Sequence, residues 1–411
     1  MTSSRLKQFS ISNYKSFESR QDIDLGNLNL FYGYNNTGKS SLIRIVKIIA
    51  DSVKPKTQYF YTPSVLDYTS NAARGGLFKD IVRTSETKIS FGLSWQNVSF
   101  EATIQQDGID REKITKLSIN EHNKKYSFRQ SDTDSKLECI SDNSDAITYK
   151  NLKFSNFKTL NEKLDNLSDS VFWISPTRKQ PPRQFEIGLG IPLKIEHDGS
   201  GVAEIIWSLA ENNSLSFNDI NSWLSKACGR VINISGSTIK SGRGRRTVEL
   251  NTISIENSES ESPLRIPIIE SGEGIAQSLP IVTICAMAAN GELGEFPIIA
   301  VEQPELHLHP KASIDLANFI MLCIKKNPNI TLLLETHSES FMRAIQIAIL
   351  KDEIDESIVN AYWVYKDEKS SKINKLKFDE DGYIKGDIPQ KVFRENIDFS
   401  REISSLRLGK I

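Results

Sequence analysis

The chain has 411 residues, with 51 Lys and Arg against 52 Asp and Glu, for a net charge of -1. That length exceeds what one hydrophobic core usually serves, and the balanced charge gives no global pull toward nucleic acid or acidic membranes. The most apolar run, residues 275–289, is broken by Gln277, Ser278, Pro280 and Thr283, so it is too short and too polar to span a bilayer. The opening MTSSRLKQFS lacks the apolar core of a signal peptide. Cys139, Cys228, Cys285 and Cys323 show no CxxC spacing and read as free thiols of a cytoplasmic protein.

Residues 6–17 alternate as a strand, 22–25 form a second, and 28–32 (LNLFY) form a third that runs into Gly33. GYNNTGKSSLIRIVKIIADS is then a loop opening a helix, marked by Leu42, Ile43, Val46, Ile48 and Ile49 on one broad face. From 53 to 170, strand-like pieces at 88–95, 99–105 and 113–119 alternate with polar turns, and 132–145 is a loop rich in Ser and Asp. This stretch reads as a β-rich accessory insertion. A buried strand at 171–174 precedes the basic SPTRKQPPR, and helices follow at 201–211 and 217–226. Strands then flank the basic turn SGRGRR, and an acidic loop, ENSESES, comes after them. The last third alternates helix 273–289, strand 297–301, helix 311–326, strand 330–335 and helix 340–350, the pattern of an α/β parallel sheet. Residues 358–384 read as a small antiparallel hairpin, with Asp379, Glu380 and Asp381 in a turn closed by Gly382. The expected divisions are 1–52, 53–170, 171–350 and 351–411, with no internal repeat and no coiled-coil arm.

Gly33, Gly38, Lys39 and Ser40 satisfy G-x-x-x-x-G-K-[ST]. The glycines let the backbone of 33–41, through Asn35, Asn36 and Thr37, curl and aim its N–H groups at phosphate oxygens. Lys39 brings a cation to the terminal phosphates, Ser40 a hydroxyl to magnesium, and Ser41 continues into a helix whose N-terminus favours anions. ATP with Mg2+ is the expected ligand. FPIIAVEQP ends an apolar strand in Glu302, an acid placed to order magnesium. Gln303 follows; it can orient an attacking water but accepts a proton poorly, so hydrolysis is slow or Glu305 substitutes. ELHLHP also permits Glu305, His307 and His309 as transition-metal ligands, a partial set; the preferred role of His309 is at a turn facing a second copy. The strand at 330–335 delivers His337, which can touch the terminal phosphate. ESGEG puts Ser271, Gly272 and Gly274 before a helix, a second anion site. Two basic stretches could meet nucleic-acid phosphates or stand as solvated turns: Lys240, Arg243, Arg245 and Arg246, and Arg178, Lys179 and Arg183. Neither interleaves aromatics for base stacking.

The series KQFSISNYKSF, GYNNTGKSS, ESGEGIAQSLPIV, VEQPELHLHP and ETHSE resembles the AAA-type, ABC/SMC-like ATPases related to the OLD nucleases and to RecF. It is most similar to the stand-alone branch of bacterial anti-phage operons, Septu-like and retron-associated. The resemblance implies an α/β ABC/SMC-type P-loop head with a mixed sheet, a β-rich insertion and a C-terminal hairpin. It implies a homodimer sandwiching ATP, in which Lys39 and Ser40 hold phosphate and magnesium and Glu302 holds magnesium. Gln303 or Glu305 attends the water, His337 is the switch, and Ser271 and Gly272 reach across. Gln303 and Glu273 depart from the family pattern. The residues after 350 are too few for the Toprim nuclease of OLD proteins, so a separate effector protein, a nuclease, is expected. A RecF-like DNA-repair ATPase and a scaffold locked around ATP are the alternative functions.

Overall fold

The computed structural model describes residues 5–55, 64–83, 86–107, 111–131, 136–140, 145–187, 194–237, 246–257 and 264–387. The chain opens with β1 (Gln8–Ser12), β2 (Gln21–Asp24), β3 (Leu28–Tyr32), α1 (Lys39–Val53) and α2 (Phe78–Ile81). A run of strands follows: β4 (Lys88–Ser94), β5 (Val98–Asp107), β6 (Arg111–Glu121), β7 (Lys124–Gln130), β8 (Lys136–Cys139), β9 (Ile147–Lys150) and β10 (Lys153–Phe154). Next come α3 (Lys158–Ser170), β11 (Val171–Ile174), β12 (Gln184–Ile187), α4 (Val202–Glu211), α5 (Leu215–Cys228), β13 (Arg230–Ser237), β14 (Arg246–Ser254) and β15 (Ile266–Pro267). The chain then alternates α6 (Glu273–Ala289), β16 (Ile298–Glu302), α7 (Pro310–Lys326), β17 (Thr331–Thr336) and α8 (Glu339–Leu350). It ends in β18 (Val359–Lys366), β19 (Ser371–Phe378) and β20 (Ile384–Lys385).

A seven-stranded mixed sheet, in the order β11-β16-β17-β3-β18-β19-β20, is the centre of an α/β fold. Its first five strands run parallel and the last two antiparallel. β3 and β16 are buried at every residue, as parallel strands covered on both faces must be. Strand alternation sends Phe31, Ala300, Leu333 and Tyr362 to one side, into a cluster with α1. Leu30, Val301, Leu334 and Trp363 face the other side, among apolar residues of α4 to α8. The C-terminal hairpin is therefore part of the main sheet: β18 lies parallel to β3.

A second sheet is antiparallel, in the order β10-β9-β8-β7-β6-β5-β4-β1-β2. The strands of 88–154 thus continue the sheet begun by β1 and β2, and β4 pairs with β1 from Gln8↔Ser94 to Ser12↔Ser90. Phe91, Phe100 and Ile119 of this sheet join Ile45 and Ile49 of α1 in one core. α1 lies between two sheets, which is why Leu42, Ile43, Ile45, Val46, Ile48 and Ile49 are all buried although they span more than one stripe.

Two local readings change. The loop expected over 132–145 contains β8, held by the burial of Leu137 between β7 and β9; residues 132–135 and 141–144 lie outside the described residues. The expected β-rich stretch also contains a helix, α3, whose Leu160, Leu164 and Leu167 are buried at helical spacing. Asp379 to Gly382 form the expected turn, with the Gly382 N–H donating to the Asp379 carbonyl at 2.9 Å. Lys240, Arg243 and Arg245 fall outside the described residues, and Arg246 opens β14. Among the described residues no helix is long and apolar enough to cross a membrane.

Candidate nucleotide site

The parallel strands β3, β16 and β17 end on one rim of the central sheet, where open α/β sheets receive ligands. The loop of Gly33 to Ser40 leaves β3 there. Gly33 has φ of 153°, and a Cβ on it would lie 2.1 Å from the Val364 carbonyl oxygen of β18, so only glycine lets the loop start this close to the sheet. Asn35 and Asn36 are exposed, Thr37 is buried, and the Thr37 hydroxyl donates to the Tyr34 carbonyl at 2.9 Å. α1 begins without a side-chain cap, behind Gly38, and has no acid in its first turn. Its leading N–H groups, which a Ser or Asp cap would otherwise engage, are available to an anion. Ser41 is half-buried on this first turn.

Lys39 is 3 % exposed, and its Nζ donates to the Tyr34 carbonyl at 2.6 Å. Burial pulls its pKa down to about 8, against the partial support of the Glu335 and Glu305 carboxylates. Ser40 donates its hydroxyl to Glu335. Glu335 is 4 % exposed and its Oε2 is enclosed without a hydrogen-bond partner. Burial raises its pKa, while Ser40 and the nearby Lys39 and Arg44 oppose that rise.

Glu302 stands at the end of β16 as expected, but its carboxylate is committed elsewhere. Oε1 accepts from Arg44 Nε at 2.6 Å and from Trp173 Nε1 at 2.8 Å, and Oε2 pairs with the second arm of the Arg44 guanidinium. The guanidinium also lies 5.7 Å from the centre of the Trp173 ring. Gln303 follows with φ of 47°. Its N–H donates to the Glu335 carbonyl at 2.8 Å, tying the two strand ends together. Glu305 Oε1 accepts from the Thr336 hydroxyl and the His337 N–H, each at 2.9 Å, while Oε2 is enclosed and unpartnered. The residue as a whole is only half-buried, but its carboxylate is inside, and that burial raises its pKa.

His337 follows β17. Its pKa is lowered by burial first and then by Lys39, so the ring is neutral at pH 7; a hydrogen bond with the Gly33 backbone partly offsets this. Tyr32 donates its hydroxyl to the His337 carbonyl at 3.0 Å. The structure thus gathers Lys39, Ser40, Glu335, Glu305 and His337 at one rim.

Ser271, Gly272 and Gly274 stand apart from that group, at the start of α6. The Ser271 and Thr252 hydroxyls are 3.0 Å apart, which anchors the segment to β14. Gly272 and Glu273 are exposed, and Glu273 accepts from Gln277 at 2.9 Å. Gly274 packs against the 303–309 loop: a Cβ there would fall 2.3 Å from the His307 carbonyl oxygen. His307 is exposed with φ of 65°, and His309 caps α7, its Nδ1 accepting from the Lys311 N–H at 3.3 Å. Among the described residues no group of three or more His, Cys, Asp or Glu could hold a metal, so the transition-metal reading of ELHLHP gains no support.

The second basic stretch is divided between the interior and the surface. Arg178 is buried, and its guanidinium donates to the carbonyls of Ser175 at 3.3 Å, Glu302 at 3.2 Å and Gln303 at 3.1 Å. Burial takes its pKa down to about 10, with Glu305 opposing. Lys179 pairs with Asp198 at 2.7 Å, and Arg183 pairs with Glu270. Arg178 is committed inside the chain, whereas the Lys179 and Arg183 pairs are exposed. The sequence reading missed Arg44 and Trp173, and it took Glu335 as a plain strand residue. The hint for Arg44 was its place four residues after Ser40, on the same face of α1.

Residues 202–342 match a family described as an AAA ATPase domain. That span takes in α6, the acidic strand and His337, and the structure sets it against the phosphate loop. The uncharacterized chromosomal cassette SCCmec type IVc protein CR006 of Staphylococcus aureus, strain MRSA252 included, is 28% identical over 123 residues. That match spans 29% of this chain and 16% of the length of those relatives. Solved structures that align with the chain include an SMC head bound to the C-winged helix domain of ScpA, at 10% identity, with 92% of this chain and 98% of that one covered and a TM-score of 0.46. Another is the SMC head domain from Thermotoga maritima, at 12% identity, 90% and 98% coverage and a TM-score of 0.40. These are loose likenesses. The AAA ATPase match runs from α4 into α8, and the rim it meets carries the Gly33, Gly38, Lys39 and Ser40 phosphate-loop pattern.

Proposed function

We propose that the chain binds ATP with magnesium in the loop of residues 33–41, hydrolyses it slowly, and works as a pair of heads closing on two nucleotides. The observation that carries this reading is the uncapped start of α1 with Lys39 beside it and two enclosed, unpartnered carboxylate oxygens, of Glu335 and Glu305, on the same rim. Free N–H groups and a buried cation suit phosphates, and enclosed carboxylate oxygens suit a hard divalent cation. Magnesium bound with the nucleotide draws charge from the transferring phosphoryl group.

Lys39 and the loop N–H groups hold the phosphates, and Ser40 offers its hydroxyl at the metal. The metal carboxylate comes from the β16 or β17 end, where Glu302 was expected. Gln303, or Glu305 in its place, attends the water. The neutral ring of His337 meets the terminal phosphate. Ser271, Gly272 and Gly274 face the nucleotide held by a second copy, with Glu273 as an acid that weakens that contact. Since a glutamine orients water but is a poor base, Gln303→Glu is expected to raise ATP turnover by about a hundredfold. A wild type that is already fast, and unchanged by the substitution, contradicts slow hydrolysis.

The wider role is that of a cytoplasmic sensor or regulatory subunit of a bacterial anti-phage complex, controlling a separate nuclease. The resemblance of the motif series supports it. Co-purification with the product of the neighbouring gene is the expected outcome, and protection of cells by this chain alone would refute it.

A further inference from the structure

We propose that Arg178 is a positioning residue for ATP hydrolysis: its guanidinium clamps the backbone of Gln303 in the conformation that brings the Gln303 side chain to the attacking water. The inference rests on the reading above, in which Gln303 attends that water. Three observations carry it.

The first is the backbone of Gln303. Its φ of 47° lies in the left-handed region, which a residue with a Cβ enters at a cost. Such a conformation persists where the surroundings over-determine it, and it concentrates at functional sites. Gln303 is held three times over. Its N–H donates to the Glu335 carbonyl at 2.8 Å, and its carbonyl accepts from the Leu306 N–H at 3.2 Å. The same carbonyl accepts from Arg178 Nη2 at 3.1 Å, a side chain 125 positions away.

The second is what Arg178 costs. It is 4 % exposed, its guanidinium partners are the carbonyls of Ser175, Glu302 and Gln303, not carboxylates, and its Nε is enclosed without a partner. A buried cation without a paired carboxylate is expensive, and for folding alone an apolar side chain would serve better. What the guanidinium supplies is geometry. Its planar fork spans the carbonyls of two consecutive residues, where β16 gives way to the turn.

The third is that Arg178 is itself anchored. The Ser175 N–H donates to the His197 carbonyl at 2.8 Å, and the Lys179 N–H donates to the Asp198 carbonyl at 2.7 Å. The clamp is therefore fixed on both sides before any ligand arrives. Placement of this kind matters to rate: a displacement of about 1 Å costs on the order of a hundredfold.

The test is ATP turnover with Mg2+ by full-length wild type, Gln303→Glu, Arg178→Lys and the double variant, with KM measured alongside. Arg178→Lys keeps the buried charge but lacks the fork. Arg178→Gln, which removes the charge and keeps a donor amide, is run in parallel in case the buried amine prevents folding, and thermal unfolding shows which variants are folded. With Arg178 in place, Gln303→Glu is expected to raise kcat about a hundredfold. In the folded Arg178 variants that gain is expected to shrink to about tenfold or less, with KM changed by less than about threefold. A role in folding alone would leave the gain unchanged. Lys179→Gln, at the exposed neighbouring cation, is expected to keep the full gain. A gain of equal size with and without Arg178, or a loss confined to KM, overturns the inference. No gain from Gln303→Glu with Arg178 in place overturns the role of Gln303 beneath it, and a wild type that does not bind ATP overturns the nucleotide site itself.

Discussion

At the scale of single residues, the rim is organised by buried charges whose partners are short of what they need. Lys39 is held in a low-dielectric site with a carbonyl as its direct partner, so its proton is loosely held, with a pKa of about 8 against an ordinary 10.5. In that window the unfolded chain binds more protons than the folded one, so stability of the free protein is expected to rise from pH 8 toward pH 10.5. A nucleotide reverses the balance at this residue, because its phosphates favour the charged amine. ATP binding at pH 8 to 9 should therefore take up a proton, and affinity should fall as pH climbs past 8. Calorimetry in buffers of different ionisation enthalpy measures this uptake. An affinity flat across the window would show that Lys39 is not at the phosphates. Arg44 and Glu302 illustrate the other way to keep charge inside: a two-armed pair with a Trp N–H completing it. Removing either partner of such a pair costs about 3–5 kcal/mol.

At the scale of elements, the site depends on how closely loops and helix starts approach each other. The start of α6 rests on the 303–309 loop through Gly274, where even one added methyl would meet the His307 carbonyl at 2.3 Å. Backbone cannot move aside as a side chain can, so Gly274→Ala is expected to cost about 1–3 kcal/mol of stability, read as a lowered urea midpoint. No change would mean that α6 and the loop are not packed as described. Much of this level was legible beforehand. The strand at 28–32 and the helix at 273–289 form over the residues that their patterns mark, because both signals are local and strong. α3 was missed, although Leu160, Leu164 and Leu167 stand at helical spacing, because its charged neighbours and the strands before it masked the period. The partners of the acidic strand were not legible. Arg44 and Glu302 are 258 positions apart, and Trp173 and Glu302 are 129 apart; nothing in VFWI marks its Trp as a hydrogen-bond donor to an acid. Arg178 was visible only as one cation among several, and its burial follows from where β11 ends, which is a property of the sheet.

At the scale of the whole molecule, one sheet draws strands from the two ends of the chain and its middle, and the rim exists only when they are assembled. β3 comes from the first lobe, β11 from the middle of the chain, β16 and β17 from its last third, and β18 from the last stretch. α1 is pinned between that sheet and the antiparallel one, so the phosphate loop at its head is set by both layers. The central claim is that this assembled rim holds a nucleoside triphosphate through Lys39. The most direct measurement is the dissociation constant of ATP with Mg2+ for the wild type and for Lys39→Ala. The loss of a charge-assisted contact corresponds to a weakening of about tenfold to a hundredfold, with a thermal unfolding transition showing the variant folded. An unchanged dissociation constant in the folded variant would contradict the claim.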